Sequence, residues 1–137
     1  MPQMCFERIS FHVWLEPGTV FAQHTLDVPL MSKARPRSTA QRTPYMPARY
    51  KRWKADVRAQ LAEWWVRPPV KEIAVLAFKF RGPARSDLDN LEGSILDAGN
   101  KLIWVDDRTS IIKKLWAEHE KAKQDESQIE IRLWYLP

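Results

Sequence analysis

The chain lacks the features that mark secreted proteins, zinc sites and membrane spans. Cys5 is the single cysteine, so no internal disulfide can form and a reducing compartment is expected. The three histidines are scattered and have no cysteine partners, which argues against a zinc site. No apolar run approaches the length of a membrane span, and residues 1–30 lack a signal-peptide pattern. The sequence therefore predicts a soluble cytoplasmic protein.

What the chain does have is the composition of one folded domain. Its 137 residues are 45% hydrophobic and include seven tryptophans, which is enough apolar material for a real core. The tryptophans fall mostly at helix or strand positions, where packing in the core or in a dimer explains them better than base stacking. Trp104 is the exception, because it lies three residues before Asp107 and could help to wall a site there.

Positive charge is concentrated in one part of the sequence. The net charge is +5, and between positions 33 and 58 the only acid is Asp56. Clustered cations attract polyanions by counterion release, and nucleic acid is the usual polyanion, although a solvated face is the commoner meaning of such a run. Three prolines predict that part of it is a mobile loop. This basic stretch contains Lys33, Arg35, Arg37, Arg42, Arg49, Lys51, Arg52, Lys54 and Arg58.

Hydrophobic periodicity predicts a mixed α/β (or α+β) fold in a single domain, residues 1–137. An amphipathic helix is expected over 48–66, beginning after Pro47, and a second from about Asn90 to a left-handed cap near 99–100. The strand at 70–80 is apolar on both faces and should be central. The element order is β-β-α-β-α-β-β-β, a sheet with two main helices packed on it. The other strands are expected at 9–15, 25–28, 102–105, 110–116 and 128–135.

Two short acidic clusters are the most informative feature of the sequence. Asp87 and Asp89 are two positions apart, so in an extended segment both side chains leave the same face. In a helix the same spacing would point them roughly 200° apart. We therefore expect an extended run through Asp89, with the helix opening at about Asn90. Asp and Asn are also common at helix caps and turns, and an isolated Asp-x-Asp is usually a solvated loop entrance.

Asp106 and Asp107 form a second acidic pair, and Asp107 lies 18 positions after Asp89. We expect this pair at the end of a short strand. Two such pairs on neighbouring segments would form an all-oxygen site, which suits a hard divalent cation such as Mg2+ or Mn2+. A carboxylate-held cation beside a basic loop has the parts required for phosphodiester hydrolysis. The residues thus favour a metal-dependent enzyme acting on nucleic acid.

Three sequence blocks resemble one known family. They are DLDNL at 87–91, ILDA at 95–98 and IWVDD at 103–107, and they are similar to the core of the RusA family of Holliday-junction resolvases, which phages and prophages often carry. The upstream KARPR at 33–37, with Tyr45 and the helix from Pro47, is also similar, so the resemblance covers about residues 28–135. Family members are small homodimers that nick two strands of a four-way DNA junction with Mg2+ or Mn2+.

The resemblance implies roles for individual residues of this chain. Asp87, Asp89 and Asp107 would bind the metal and form the catalytic centre, with Asp106 as a close neighbour that supports it. Arg85 falls where the family tends to carry DNA-contacting cations. Together with the basic stretch, this gives an expected DNA-binding set of Lys33, Arg35, Arg37, Arg49, Lys51, Arg81 and Arg85.

The chain departs from the family at one position. The family commonly has a catalytically important lysine four residues after the second motif aspartate, where this sequence has Gly93. Lys101 and Lys113 are candidates to supply that charge. The resemblance predicts a Mg2+-dependent endodeoxyribonuclease of DNA recombination and repair. Two alternatives stay open: a nuclease for other branched or single-stranded nucleic acid, and a junction-binding protein that no longer cleaves.

Overall fold

The computed structural model of the chain describes residues 3–6, 9–12, 14–41 and 44–137. Its body is a four-stranded sheet with two helices. The sheet contains β3 (Val20–Leu26), β6 (Glu72–Arg81), β7 (Leu115–Glu120) and β8 (Gln128–Leu136), and the helices are α1 (Ala48–Trp64) and α2 (Leu88–Gly99). A 3-10 turn, η1, spans Gln124–Glu126. Two small hairpins pair β1 (Gln3–Phe6) with β2 (Ile9–His12) and β4 (Arg37–Ser38) with β5 (Pro44–Tyr45).

The strand order in the main sheet is β3-β8-β6-β7, with antiparallel pairs except between β6 and β7. Parallel neighbours need a crossover connection, and α2 supplies it. The helix therefore runs back against the direction of the strands. Residues just before α2 lie at the C-terminal end of β6, and residues after it lie near the N-terminal end. This topology determines where the two acidic pairs are found.

The core lies between the helices and one face of the sheet, and its pattern follows from the sequence. In β8, Ile129, Ile131, Leu133 and Tyr135 alternate with partly exposed residues, as expected for a strand with one covered face. In β6, both faces are largely buried, which confirms the prediction of a central strand. The helix α1 presents four buried residues at helical spacing, Tyr50, Trp53, Val57 and Leu61.

Four predicted elements are confirmed with shifted ends: both helices, the central strand and the last strand. The strand predicted at 25–28 overlaps only the end of β3. Val20 and Phe21 are apolar but exposed on an edge strand, so the alternation of apolar and polar residues is weak at its start. Of the first predicted strand, 9–12 is strand, 13 lies outside the described residues, and 14–15 continues as loop. The strand expected at 110–116 begins later, at Leu115, and runs to Glu120, because Ile112 makes only a single parallel bridge to Ile73 before the continuous pairing with β6 starts.

The segment between α2 and β7 also differs from expectation. The predicted strand at 102–105 is a turn with single bridges to Val70 and Asn100. The left-handed residue is Lys101, with φ of 65°, and not the 99–100 pair. Trp104 is fully buried, and its Nε1–H donates to the Leu96 carbonyl oxygen at 3.0 Å. The tryptophan therefore anchors this turn in the core and does not wall an exposed site.

Candidate metal and nucleic-acid site

Asp87 and Asp89, the first aspartate pair, stand where the chain enters α2. Asp87 is the N-cap residue with an extended backbone, and Asp89 lies in the first helical turn. The prediction of an extended run through Asp89 is wrong by two residues, since the helix begins at Leu88. Asp87 makes no side-chain capping hydrogen bond, but the negative charge of Asp89 in the first turn is stabilised by the unpaired backbone N–H groups. This charge preference favours a helix at a spacing that also suits a strand.

Asp106 and Asp107, the second aspartate pair, follow the buried turn. Asp106 accepts hydrogen bonds from the Asp107 backbone N–H at 2.7 Å and from Arg108 Nε at 2.8 Å. The Arg108 guanidinium, followed by that backbone N–H, lowers the pKa of Asp106 below its ordinary value. Asp107 is exposed. Asp106 is thus an ionised carboxylate held by its own neighbours, and Asp107 is the member of the pair that is free to bind a ligand.

The two pairs lie near opposite ends of α2. Its 12 residues span about 18 Å at the rise of an α-helix. The first pair precedes the helix, whereas the second pair follows Val105, whose N–H bonds to the Val70 carbonyl oxygen at 3.0 Å, just ahead of β6. Accordingly, no three histidine, cysteine or acidic side chains of residues 14–41 and 44–137 are close enough to hold one metal ion. A single chain brings each pair together but not both pairs.

The donor chemistry nevertheless fits a divalent cation. Asp87, Asp89 and Asp107 are exposed and form no ion pair with any side chain that the structure describes. Carboxylate oxygens without a protein cation are the ligands that Mg2+ and Mn2+ prefer. These are the three residues that the resemblance assigns to metal binding, and the fourth, Asp106, is the one engaged by arginine. Their metal-binding role stays a prediction.

The expected DNA-binding residues are mostly exposed around the entrance to α2 and α1. Lys33 and Arg35 are exposed after β3, and the Lys33 backbone N–H donates to the Asn90 carbonyl oxygen at 2.9 Å. Arg85 is exposed just before the first aspartate pair. Arg49 and Lys51 are exposed in the first turn of α1, and Arg37 lies in β4, its side chain outside what the structure describes.

Arg81 is less available for DNA than expected. It is half-buried at the end of β6, where it lies 3.6 Å from both a Glu120 and a Glu126 carboxylate oxygen. These contacts link β6, β7 and η1. Because both carboxylates compete with a phosphate for the guanidinium, the structure favours a structural role for Arg81.

Neither lysine suggested as a substitute for the family lysine lies near the first aspartate pair. Lys101 follows the C-terminal end of α2, a helix length away from Asp89. Lys113 follows Ile112, which pairs with Ile73 at the start of β6, and its Nζ donates to the Ser110 carbonyl oxygen at 2.9 Å. Within one chain, the crossover through α2 places both residues at the other end of the strands, so the role suggested for them stays a prediction.

Two further acidic groups of α2 were not singled out from the sequence. Glu92 is half-buried, and burial, followed by the charge of Asp89, raises its pKa. The Asp97 carboxylate accepts a hydrogen bond from the Tyr50 hydroxyl at 2.7 Å, and it lies 3.2 Å from Lys54 Nζ. Burial, and then this hydrogen bond, raise the pKa of Tyr50. The helical spacing in α1 placed Tyr50 in the core, but only the packed fold shows that Asp97 joins α2 to α1.

Comparison with known proteins identifies the family to which the chain belongs. No helix of the described chain is both long and apolar enough to cross a membrane. A search of curated proteins found no match. The family model of endodeoxyribonuclease RusA matches residues 27–134, which include both aspartate pairs, both helices and the basic stretch. RusA proteins are Holliday-junction resolvases, and the match covers most of the chain. The chain therefore belongs to the RusA endodeoxyribonuclease family.

Proposed function

We propose that this protein is a divalent-metal-dependent endonuclease that nicks four-way DNA junctions in recombination and repair. The observation that carries the proposal is the group of three exposed aspartates, Asp87, Asp89 and Asp107, without a cationic partner among the described residues. The residues around the first pair add exposed cations, Lys33 and Arg85, beside it. A polyanion can therefore approach carboxylates that would otherwise repel it, once a cation is bound between them.

The roles of the side chains follow from their charge and exposure. Asp87, Asp89 and Asp107 would hold Mg2+ or Mn2+, which supplies positive charge at the scissile phosphate and activates water. Asp106, fixed by Arg108, orients the turn that carries Asp107. Basic residues of the stretch and Arg85 bind flanking phosphates, giving affinity and position without reading the base sequence.

We further propose that the metal site is completed by a second copy of the chain. One chain separates the aspartate pairs by the length of α2, whereas a divalent ion needs ligands within about 2.0–2.6 Å. A two-fold dimer can set the second pair of one subunit against the first pair of the other, and symmetry then creates two equivalent sites. Two sites related by a two-fold axis suit the symmetric nicking of a four-way junction.

The direct test is cleavage of an end-labelled four-way junction beside a linear duplex, a fork and a single strand built from the same arms. We expect paired, symmetric nicks in the junction with Mg2+ or Mn2+, and none with EDTA. The duplex should be cut little or not at all. Equal cutting of fork, single strand and junction would favour a general nuclease for branched DNA. Tight junction binding without product in either metal would favour the non-cleaving binder, the alternative that Gly93 suggests.

A second prediction concerns the path of the DNA. Changing Arg35 and Arg37 to glutamine should weaken junction binding for all sequences and reduce the salt slope of log Kd by about 1 per residue. Binding should be measured by titration at several salt concentrations in EDTA. The control removes one exposed lysine outside the basic stretch, by Lys114→Gln just before β7, and should leave the slope unchanged. An unchanged slope in the arginine variant would place the DNA elsewhere.

A further inference from the structure

The side chain of Lys33 crosses α2 at Gly93. A β-carbon placed on Gly93 would lie 3.0 Å from Lys33 Cδ, 3.2 Å from its Cβ and 3.7 Å from its Cγ. These distances are at or below ordinary van der Waals contact, so the lysine stem occupies the space in which a side chain of residue 93 would begin. Glycine at this position is therefore what lets Lys33 lie against the helix.

The backbone of Lys33 is fixed to the same helix. Its N–H donates to the Asn90 carbonyl oxygen at 2.9 Å, one turn before Gly93. The backbone of Lys33 is therefore held at Asn90 by a hydrogen bond. Its side chain packs at Gly93, three residues further along α2. The segment after β3 is thus attached to the turn of α2 that carries Asp89.

The position of this contact relates the lysine to the first aspartate pair. Residues four apart on a helix share one face, so position 93 lies on the face of Asp89, one turn further along. The Lys33 ammonium is two bonds beyond the Cδ that touches this position. Lys33 is exposed and forms no ion pair with any residue in the described part of the chain, unlike Arg81 and Arg108. Its charge remains available to a ligand.

We propose that Lys33 is a catalytic residue, whose ammonium contacts the scissile phosphate beside Asp89, and that Gly93 provides the space for it. This inference rests on the proposed nuclease function and gives Lys33 a role beyond general DNA binding. In the reaction, water oxygen bonds to phosphorus while the bond to the 3′ oxygen breaks. The products are a 5′-phosphate and a 3′-hydroxyl, which takes a proton from the water. The ammonium transfers no proton; it neutralises charge that develops on the phosphate oxygens.

The test separates cleavage rate from junction affinity. With protein in excess over labelled junction, Lys33→Gln should lower the single-turnover rate by about 100-fold or more, the usual cost of losing one stabilising donor. Its junction Kd, measured in EDTA, should change by less than about tenfold, as for the loss of one phosphate contact. Lys114→Gln makes the same chemical change just before β7 and should leave both quantities unchanged.

A relocated lysine tests the role of Gly93. The double variant Lys33→Ala with Gly93→Lys removes the lysine at position 33 and places one at position 93. The new side chain begins in the space that the Lys33 side chain now fills. We expect this double variant to cut at least about ten times faster than Lys33→Ala, because charge returns to the same helix face. A folded, junction-binding double variant no faster than Lys33→Ala would contradict the proposal.

The outcomes distinguish this inference from the proposed function. A wild-type chain that nicks junctions, with Lys33→Gln nicking at the same rate, would overturn the role of Lys33 and leave the nuclease function intact. A wild-type chain that binds junctions and cuts nothing would overturn both. If Lys33→Gln lowers only the affinity for the junction and leaves the single-turnover rate unchanged, Lys33 binds flanking DNA without acting in catalysis. That result would also overturn the proposal.

Discussion

Replacing Asp89 with asparagine should abolish junction cutting and leave the fold and junction binding intact. Asparagine has the same shape and is tolerated in a first helical turn, but it cannot supply the negative charge that holds a divalent ion. We expect at least about a 100-fold loss of nicking rate in Mg2+, with an unchanged circular dichroism spectrum and an unchanged Kd in EDTA. Asp125→Asn, at an exposed aspartate in η1, is the matched control and should cut normally.

The same variant decides whether one chain or two build the metal site. Asp89→Asn and Asp107→Asn should each be inactive alone. When they are mixed and allowed to exchange subunits, half of the dimers contain one copy of each, and one of their two sites has all its aspartates. About a quarter of the wild-type sites should therefore recover, each making a single nick. If the site is completed within one chain, every site in the mixture lacks an aspartate and no activity returns.

Removal of the Trp104 indole should give the largest loss of stability that we predict. The ring is fully buried against Gly99, where an added β-carbon would overlap it, and its Nε1–H donates to the Leu96 carbonyl oxygen. Trp104→Ala should lower the free energy of unfolding by about 3–5 kcal/mol, through the cavity it leaves and the hydrogen bond it removes. That is a large part of the stability of an ordinary domain.

Denaturant unfolding measures this change against a matched control. Trp14 is 70% exposed, so Trp14→Ala should alter the free energy of unfolding by less than about 0.5 kcal/mol. The Trp104 variant should also lose nicking, because the indole anchors the turn that presents Asp107. Equal stability of the two variants would mean that the turn does not depend on the buried ring.

The elements that sequence reasoning found are those whose signal is local and repeated. The apolar stripe of α1, the doubly buried β6 and the alternation in β8 each repeat several times, and all three are present in the fold. The start of α2 was misplaced because the spacing of Asp87 and Asp89 suits a strand as well as a capped first turn. Such short patterns carry too few residues to decide between the two periods.

The arrangement of the candidate site depends on topology, which the sequence does not display. Both aspartate pairs were identified from their residues, but their separation follows from the crossover that joins parallel strands through α2. The contact between Gly93 and Lys33 was not predicted from the sequence, for a related reason. Lys33 is 60 positions away in sequence, so the contact exists only after the segment following β3 has docked on α2.

The crossover through α2 also has a consequence for when the protein can act. If two chains complete each metal site, as proposed above, a lone subunit has two incomplete sites, and we expect it to bind DNA without cutting it. Cleavage then rises with the square of subunit concentration at low abundance, before association saturates. Under this proposal, dilute subunits would leave DNA uncut, and cleavage would begin as the protein accumulates. The length of α2 would then prevent a single subunit from cutting DNA.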